Sequence, residues 1–283
     1  MPTALVMEGG AMRGLFTCGV TDVLQENGIT FDGAAGISAG AAFGCNVKSH
    51  QPGRARRYNE RYCRDPRYAG VHSLLITGDL FGVDFCYREL PLVLDPFDAA
   101  AFARDPMPFY VGATDVETGE PVYHLCTDGG VEDLLWIRAS ASMPLVSRVV
   151  ELEGRKLLDG GIADPIPLRF MLERGYDRAV VILTQPLGYV KAPSPSLPAF
   201  RVAMRRYPAL VRAMAVRHEV YNAQTAQVRA CEEAGTAFVL RPPEKLPVGH
   251  MEKDPARLER AYQTGRREME RRLAELKAFL RGS

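Results

Sequence analysis

The sequence predicts an α/β protein with a mainly parallel central sheet, and three observations indicate this class. The first 47 residues alternate between short apolar runs and helical spacing, in the order strand, helix, strand, helix. Such alternation favours parallel strands with helices packed on their faces. The run from Ala179 to Thr184 is typical of a central strand buried on both faces. Glycine-rich segments stand at two of the predicted junctions between a strand and a helix.

The first four elements are placed by their apolar spacing. Residues 4–7 form a predicted strand that stops at a glycine pair, and residues 15–26 resume with helical spacing. Asn27-Gly28 ends that helix. Residues 29–35 are the second predicted strand, and residues 39–47 are small and apolar enough for a buried helix.

The middle of the chain predicts two hairpins after a basic segment. Residues 48–67 carry seven basic and two acidic residues, and we interpret them as a solvated face. Residues 109–113 and 122–125 are strand-like and are joined by a turn-rich link. Residues 149–158, broken at Glu153-Gly154, form the second predicted hairpin.

The last third of the chain is predicted to be helical and partly cationic. Residues 199–234 follow a proline-rich link, and six arginines with one acidic residue lie from Arg201 to Arg229. Asp254-Pro255 supplies an N-cap and a first-turn proline for a final amphipathic helix. We therefore predict a core of residues 1–187 and a helical extension, residues 188–283, packed on it.

Composition excludes several classes of protein. The chain has 283 residues, 47% hydrophobic and 24% charged, close to the averages of globular domains. A formal net charge of +1 gives no support for nucleic-acid binding. Six cysteines lie far apart without metal-ligand spacing, so neither a zinc site nor a disulfide framework is indicated, and we expect reduced thiols in a cytoplasmic protein. No run approaches the roughly 20 apolar residues of a membrane span.

Gly36-Ile37-Ser38-Ala39-Gly40 is the first motif that carries chemistry. It is a G-x-S-x-G between a predicted strand and a predicted helix, the context in which the motif forms a nucleophile elbow. The sharp turn leaves no room for side chains at Gly36 and Gly40. Ser38 then stands at a helix amino terminus, whose dipole favours developing negative charge. An ordinary turn serine is the alternative interpretation.

A glycine-rich loop, Gly9-Gly10-Ala11-Met12-Arg13-Gly14, lies at the preceding junction and presents successive N–H groups to an anion. As an imperfect G-x-G-x-x-G, with Asp32 further on, it predicts a dinucleotide site. Beside Ser38 it predicts an oxyanion hole. We favour the oxyanion hole, because a nucleophile elbow has no role in a dinucleotide site.

A histidine triad is one way to activate Ser38. The candidates for its base are His50, His72, His124, His218 and His250. Only His250 fits the chain order Ser, Asp, His. An elbow at residue 38 is also early for an ordinary α/β-hydrolase, in which several strands precede it. We therefore interpret most of these histidines as structural or solvated.

An aspartate is the other candidate base, because Asp-Gly-Gly occurs at both Asp128 and Asp159. Asp128 suits a turn or a helix start. Asp159-Gly160-Gly161 ends a predicted strand and precedes the rigid Pro165-Ile166-Pro167. An ionised Asp159 can take the Ser38 proton directly, so the context favours Asp159 over Asp128.

Together these motifs resemble the patatin-like phospholipase family, which carries the glycine-rich loop, the serine elbow and the Asp-Gly-Gly in this order. The segment Ala139-Ser140-Ala141-Ser142-Met143-Pro144 also resembles the family pattern and decides for Asp159. The similarity covers about residues 4–185, and the tail resembles a bacterial subgroup with a helical carboxyl-terminal extension. Ala11 departs from the pattern, because many members have a third glycine there, but it keeps its backbone N–H.

The resemblance implies a three-layer α/β/α sandwich and hydrolysis of lipid acyl esters by a Ser-Asp dyad, without a metal or cofactor. It implies Ser38 as nucleophile, Asp159 as base, and an oxyanion hole from the N–H groups around Gly10, Ala11 and Met12. Arg13 matches a basic loop residue that either fixes the loop or balances a phosphate head group.

Two other functions and one partner stay open at this stage. The alternatives are a Ser-His-Asp esterase and a catalytically idle binding or regulatory protein of the same fold. The cationic stretch from Arg201 to Arg229 is either a solvated helix face or a contact with anionic lipid at the inner membrane face. We expect a lipid or other acyl-ester substrate and no nucleic acid.

Overall fold

The structure, a computed structural model, describes residues 1–282. Its strands are β1 (Thr3–Met7), β2 (Gly33–Ile37), β3 (Phe109–Asp115), β4 (Pro121–Cys126), β5 (Val150–Leu152), β6 (Arg155–Asp159), β7 (Arg178–Ile182) and β8 (Ala237–Leu240). They form one sheet in the order β5-β6-β3-β2-β1-β7-β8, with β4 paired to β3. The neighbouring strands β3, β2, β1, β7 and β8 run parallel to one another. In contrast, β4 and β6 pair antiparallel with β3, and β5 pairs antiparallel with β6. The predicted α/β class with a mainly parallel sheet is confirmed.

Ten α-helices surround this sheet in the described part of the chain. They are α1 (Gly14–Glu26), α2 (Ala39–Lys48), α3 (Arg54–Tyr62), α4 (Val71–Thr77), α5 (Ala99–Arg104), α6 (Val131–Ser140), α7 (Leu168–Glu173), α8 (Leu197–Ala203), α9 (Pro208–Glu233) and α10 (Pro255–Arg281). Short 3-10 turns cover Ala11–Arg13 and Gly160–Ile162, and a π-helix covers Phe85–Leu94. No helix within residues 1–282 combines the length and the apolarity needed to cross a bilayer.

Alternation along β1 shows how the sheet separates two helical layers. Leu5 and Met7 belong to the larger apolar core, which they share with residues of α1, α2 and α10. Ala4 and Val6 belong to a second core, shared with α7 and α9. Because successive side chains of a strand point to opposite faces, helices cover both faces of the sheet. The arrangement is the predicted three-layer sandwich.

The segment after residue 188 contributes to the sheet as well as to the helical layers. Strand β8 pairs in parallel with β7, and α10 lies against α1. The two helices approach so closely that a Cβ on Gly265 would lie 2.0 Å from the carbonyl oxygen of Phe16. Tyr262 of α10 also donates a 2.8 Å hydrogen bond to Asp22 of α1. The division between residues 187 and 188 stays a prediction.

Two predicted segments differ from the structure. Strand β2 begins at Gly33 rather than at residue 29, although Ile29 and Phe31 still pack against the core from the preceding loop. The solvated interpretation of residues 48–67 is wrong for Lys48 and Arg54, which are buried because backbone carbonyls and Asn46 accept their hydrogen bonds.

Candidate active site

Ser38 and Asp159 are brought together by the register of two strands on β3. Ile37, the last residue of β2, pairs with Gly112, and Asp159, the last residue of β6, pairs with the next residue, Ala113. Ser38 Oγ donates a 2.8 Å hydrogen bond to Asp159 Oδ2. Residues 121 positions apart in the sequence therefore meet in a buried pair.

The G-x-S-x-G motif forms the predicted sharp turn from β2 into α2. Ser38 precedes α2 with φ 54° and ψ −118°, a backbone conformation that is strained for a residue with a side chain. A Cβ on Gly36 would lie 2.4 Å from the carbonyl oxygen of Gly40, and a Cβ on Gly40 would lie 2.4 Å from that of Met7. Both glycines are therefore required by close backbone contacts.

Asp159 is a buried carboxylate with few compensating bonds. Its Oδ1 accepts the Gly161 N–H at 2.7 Å, and its Oδ2 accepts the Ser38 hydroxyl. Burial raises the pKa of Asp159 above its usual value, opposed by the positive charge of Arg217 and by these two hydrogen bonds. A raised pKa makes a carboxylate a stronger proton acceptor. A Cβ on Gly160 would lie 2.3 Å from the Gly112 carbonyl oxygen, so this glycine allows the turn to pack against β3.

The glycine-rich loop leaves its backbone donors open beside Ser38. The N–H of Glu8 bonds Ile182 and that of Arg13 bonds Gly10, but the four between them, in residues 9–12, have no acceptor within residues 1–282. Gly9 lies close to the elbow, because a Cβ there would be 3.1 Å from Ser38 Cβ. Gly14 begins α1 against Ala39 and Phe43 of α2. The loop can therefore hold an anion next to the serine.

The backbone conformation of Ala11 explains why many proteins with this loop pattern have a glycine at the corresponding position. Its φ is +48°, in the left-handed region. A residue with a side chain pays about 1–2 kcal/mol there. The departure from the family pattern is thus accommodated as local strain, without loss of the N–H.

Ser140 is a residue of the site that the sequence interpretation gave no role. Its Oγ accepts the N–H of Ser38 at 2.8 Å and donates to the carbonyl of Gly112. The Ser140 side chain therefore connects Ser38 to Gly112 of β3. Gly112 precedes Ala113, the residue of β3 with which Asp159 pairs. The position of Ser140 in the segment from Ala139 to Pro144 was a signal that could have singled it out.

The other candidates, which include all five histidines, are not hydrogen-bonded to Ser38 in the described chain. His50 pairs with Asp105, His124 with Asp133, and His250 Nε2 lies 3.5 Å from Arg13 Nη1. Asp128 accepts the Gly130 N–H in a turn, and Asp32 accepts the Thr3 N–H at the start of β1.

Within residues 1–282, two groups of side chains, both containing His124, have the composition of a metal site. The second consists of His124 with the exposed Glu132 and Glu153. Donor atoms of His124, Cys126 and Asp133 lie within 4.8 Å of one another. Asp133 Oδ2 already accepts three backbone N–H groups of residues 127–129, and Oδ1 contacts His124. Burial raises the pKa of the Cys126 thiol far above its usual value, which disfavours the thiolate that a metal requires. These bonds support a structural role in the turn before α6.

An apolar cavity opens directly from Ser38. We use this name for the cavity whose empty space, counted with the solvent at its mouth, is about 870 Å³. Its walls are mostly apolar or aromatic and include Tyr58, Tyr68, Phe81, Tyr87, Leu90 and Ile137. The one charged residue of the wall, Arg54, donates to Asp95 and Asn46. The sequence interpretation assigned no role to the segment around the π-helix that supplies part of this wall.

The fold and the site define the class of α/β proteins that carry a serine at a strand-to-helix elbow beside a glycine-rich loop. Within that class, the chain belongs to the patatin-like phospholipase family. The family model described as patatin-like phospholipase matches residues 5–172, more than half of the chain. A second model, described as a domain of unknown function (DUF6363), matches residues 207–281.

Several relatives share this similarity. An uncharacterized protein, YjjU of Escherichia coli, is 37% identical over 65% of this chain and 52% of its own length. An uncharacterized NTE family protein of Mycobacterium tuberculosis is 32% identical over 58% of this chain and 44% of its own length. The chain thus spans about half the length of these relatives. Lysophospholipase NTE1 of Mycosarcoma maydis is 27% identical over 62% of this chain and 9% of its own length.

Among solved structures, VipD from Legionella pneumophila is similar with a TM-score of 0.44 and 13% identity. The similarity covers 95% of this chain and 67% of that chain.

Proposed function

We propose that the protein hydrolyses carboxylic esters of lipids, of the phospholipase A, lysophospholipase or carboxylesterase type, with Ser38 as nucleophile and Asp159 as base. The 2.8 Å hydrogen bond from Ser38 Oγ to Asp159 Oδ2 is the observation that carries this proposal. Membership of the patatin-like phospholipase family and the similarity to proteins named lysophospholipase support a lipid hydrolase. The apolar cavity beside Ser38 suits an acyl chain.

The proposed reaction has two halves. Asp159 accepts the Ser38 proton as Oγ attacks the ester carbonyl carbon, and the open N–H groups of Gly10, Ala11 and Met12 hold the resulting oxyanion. Collapse of this intermediate breaks the ester bond, and the leaving alcohol takes the proton from Asp159. A water molecule, deprotonated by Asp159, then attacks the acyl carbon. The bond between that carbon and Ser38 Oγ breaks, Asp159 returns the proton to Oγ, and the fatty acid leaves.

The test combines covalent labelling with two variants. A fluorophosphonate probe should label the wild-type protein and leave Ser38→Ala unlabelled, because the probe reports an activated serine. On a panel of lipid esters, Ser38→Ala and Asp159→Asn should each lose about 1,000-fold or more in turnover, the scale of losses in serine hydrolases that lack part of their triad. An unlabelled wild-type protein would instead support the idle binding protein.

The histidine alternative is distinguished by a third variant. His250 lines the same cleft as Ser38, which is the observation that keeps a Ser-His mechanism in consideration. We expect Asp159→Asn to lose far more turnover than His250→Ala. The reverse ranking would establish the histidine as base and overturn the dyad.

Contact with a membrane surface is a second part of the proposal, for a protein acting in the cytoplasm. The exposed arginines of the cationic stretch include Arg201, Arg205, Arg206 and Arg229. Arg229 forms an ion pair with Glu233. Exposed basic residues contribute about 1 kcal/mol each near an anionic surface. Co-sedimentation with anionic liposomes should exceed that with neutral liposomes, and equal binding to both would remove the electrostatic contact.

A further inference from the structure

A second cavity, which shares Ser38 with the apolar cavity, has several basic residues in its wall. We call it the cationic cleft. Its basic side chains are Arg13, Lys191, Arg217, His218 and His250, and Ser38 and Asp159 also line it. Four of these five basic residues come from the segment after residue 188. The extension therefore takes part in the site that holds the nucleophile.

Lys191 is held at the cleft by specific contacts. Its backbone N–H donates to Asn222 Oδ1 at 2.8 Å, and Asn222 Nδ2 donates back to the Lys191 carbonyl at 3.0 Å. The ammonium group lies 4.9 Å from the ring centroid of Tyr221. This side chain is half-buried and positioned rather than free in solvent.

Arg13 and Arg217 reach the cleft from different elements, the 3-10 turn after β1 and α9. Arg217 Nε of α9 donates to the carbonyl of Gly161, next to the catalytic carboxylate proposed above. Arg13 Nη1 lies 3.5 Å from His250 Nε2, and its buried Nε has no hydrogen-bond partner within residues 1–282. Within residues 1–282 the two terminal nitrogens of Arg217 have no hydrogen-bond partner.

The positive charge of the cleft is not neutralised by ion pairs. In the described chain no carboxylate lies within 4.0 Å of a side-chain nitrogen of Arg13, Lys191 or Arg217, although most other buried basic groups have one. The acidic residues of the cleft are Glu8 and Asp159, and burial raises the pKa of both. Desolvation, followed by repulsion from Arg217 and Arg13, lowers the pKa of Lys191 to about 8. A bound anion would relieve this repulsion.

We propose that the cationic cleft is a subsite for a phosphate group carried by the acyl-ester substrate, so that the protein prefers monoacyl lipids with an anionic phosphate head group. This inference rests on the proposed function. The phosphate accepts charge-assisted hydrogen bonds from Arg13, Lys191 and Arg217 while the acyl chain occupies the apolar cavity. Ser38 lies where the two cavities meet, which is where the ester of such a lipid is held.

Three substrates with the same oleoyl chain test this preference. They are monooleoylglycerol, which is neutral, oleoyl lysophosphatidylcholine, which is zwitterionic, and oleoyl lysophosphatidate, which is anionic. We expect kcat/KM to be highest for the anionic lipid, by about tenfold or more over the neutral lipid, the effect of one or two charge-assisted hydrogen bonds. Equal values for the three lipids would overturn the subsite and leave the ester hydrolase standing.

A matched pair of variants assigns the preference to the cleft. Lys191→Met should reduce the ratio of anionic to neutral kcat/KM by about tenfold, the value of one charge-assisted hydrogen bond. Lys245→Met removes the same charge from an exposed residue of the extension outside the cleft and should keep both the ratio and the activity. Equal ratios in the two variants would contradict the proposal.

A binding measurement does not depend on turnover. Calorimetric titration of Ser38→Ala with sn-glycerol 3-phosphate should give a Kd that rises about tenfold when Lys191→Met is added and stays constant with Lys245→Met. Inorganic phosphate that binds while the three lipids react equally would mean a site for free phosphate and would overturn the head-group assignment. If wild type hydrolyses none of the lipids but Lys191 still controls glycerol phosphate binding, the proposed function fails and the anion subsite stands.

Discussion

The two cavities that meet at Ser38 are built from different parts of the chain and by different chemistry. The apolar cavity takes its walls from residues 11–143, and its one charged residue is satisfied by internal hydrogen bonds. The cationic cleft draws most of its basic groups from the extension, and within residues 1–282 Arg13, Lys191 and Arg217 lack carboxylate partners. Ser38, Ala11 and Met143 line both cavities. From the two proposals above, we predict that recognition of the acyl chain and of the head group can be altered separately, and that the residues shared by both cavities affect both.

Blocking the apolar cavity should give the largest selective effect. Leu134→Trp places a bulky ring in its wall, and exclusion of three methylene groups at about 0.8 kcal/mol each amounts to about 2.4 kcal/mol, or about 50-fold in kcat/KM. Long-chain esters should lose this factor, whereas acetyl esters should not. The measurement is kcat/KM over a series of acyl lengths.

Leu125→Trp is the control, because Leu125 is exposed on β4 and lies outside the apolar cavity. An equal loss for short and long chains in Leu134→Trp would show that the variant disturbs the nucleophile instead of the cavity.

A variant of Ser140 tests Ser38, which lines both cavities, because Ser140 Oγ accepts the Ser38 N–H. Ser140→Ala leaves the Ser38 N–H and the Gly112 carbonyl without their partner, and each buried unpaired group costs about 1–3 kcal/mol. We expect kcat to fall about tenfold for neutral and phosphate-bearing lipids alike. Ser73→Ala removes a buried hydroxyl that donates to Asp79 away from the site, so it should lose stability and keep kcat. A change in head-group preference in Ser140→Ala would contradict a common role.

Arg217 connects the cationic cleft to the proposed base, and the pH profile reports this connection. Asp159 must be ionised to accept a proton, so kcat/KM falls as the pH drops through its pKa. Burial raises that pKa and the charge of Arg217 lowers it. Arg217→Met should therefore move the acid limb of the kcat/KM profile to higher pH. Arg212→Met, at an exposed position of the same helix, should leave the limb in place, and a shift in both variants would exclude a local effect.

Ala11 gives the smallest predicted effect, on stability. Its φ of +48° suits glycine, so Ala11→Gly should relieve strain and raise the free energy of unfolding by about 1 kcal/mol. The matched change Ala223→Gly, exposed in the interior of α9, should lower it by about 1 kcal/mol. Chemical denaturation measures both values. Destabilisation by Ala11→Gly would show that the Ala11 methyl group contributes more packing than strain.

Particular residues show how far the sequence predicts the fold. The N-cap Asp254 and Pro255 mark the start of α10 because capping and proline geometry are local. In contrast, the short strand β8 is absent from the sequence interpretation, since four apolar residues suit a helix or a strand equally. The segment forms a strand because the edge of β7 is available to pair with it. Ile29 and Phe31 show the same limit, because apolarity predicts their burial but not the strand boundary.

The chain by itself determined the parts of the site that depend on local sterics and residue chemistry. Gly36 of the elbow, the positive φ of Ser38 and the carboxylate before Gly160-Gly161 follow from short-range geometry that the motifs carry, whereas Gly40 is also required by a contact with Met7 of β1. Tertiary structure alone decided which distant groups meet. Consecutive pairing on β3 joins Ser38 to Asp159, and the folding of the extension brings Lys191 and Arg217 to Arg13. Such neighbours are selected by strand register and helix packing, and the energies of both depend on the whole core rather than on any short segment.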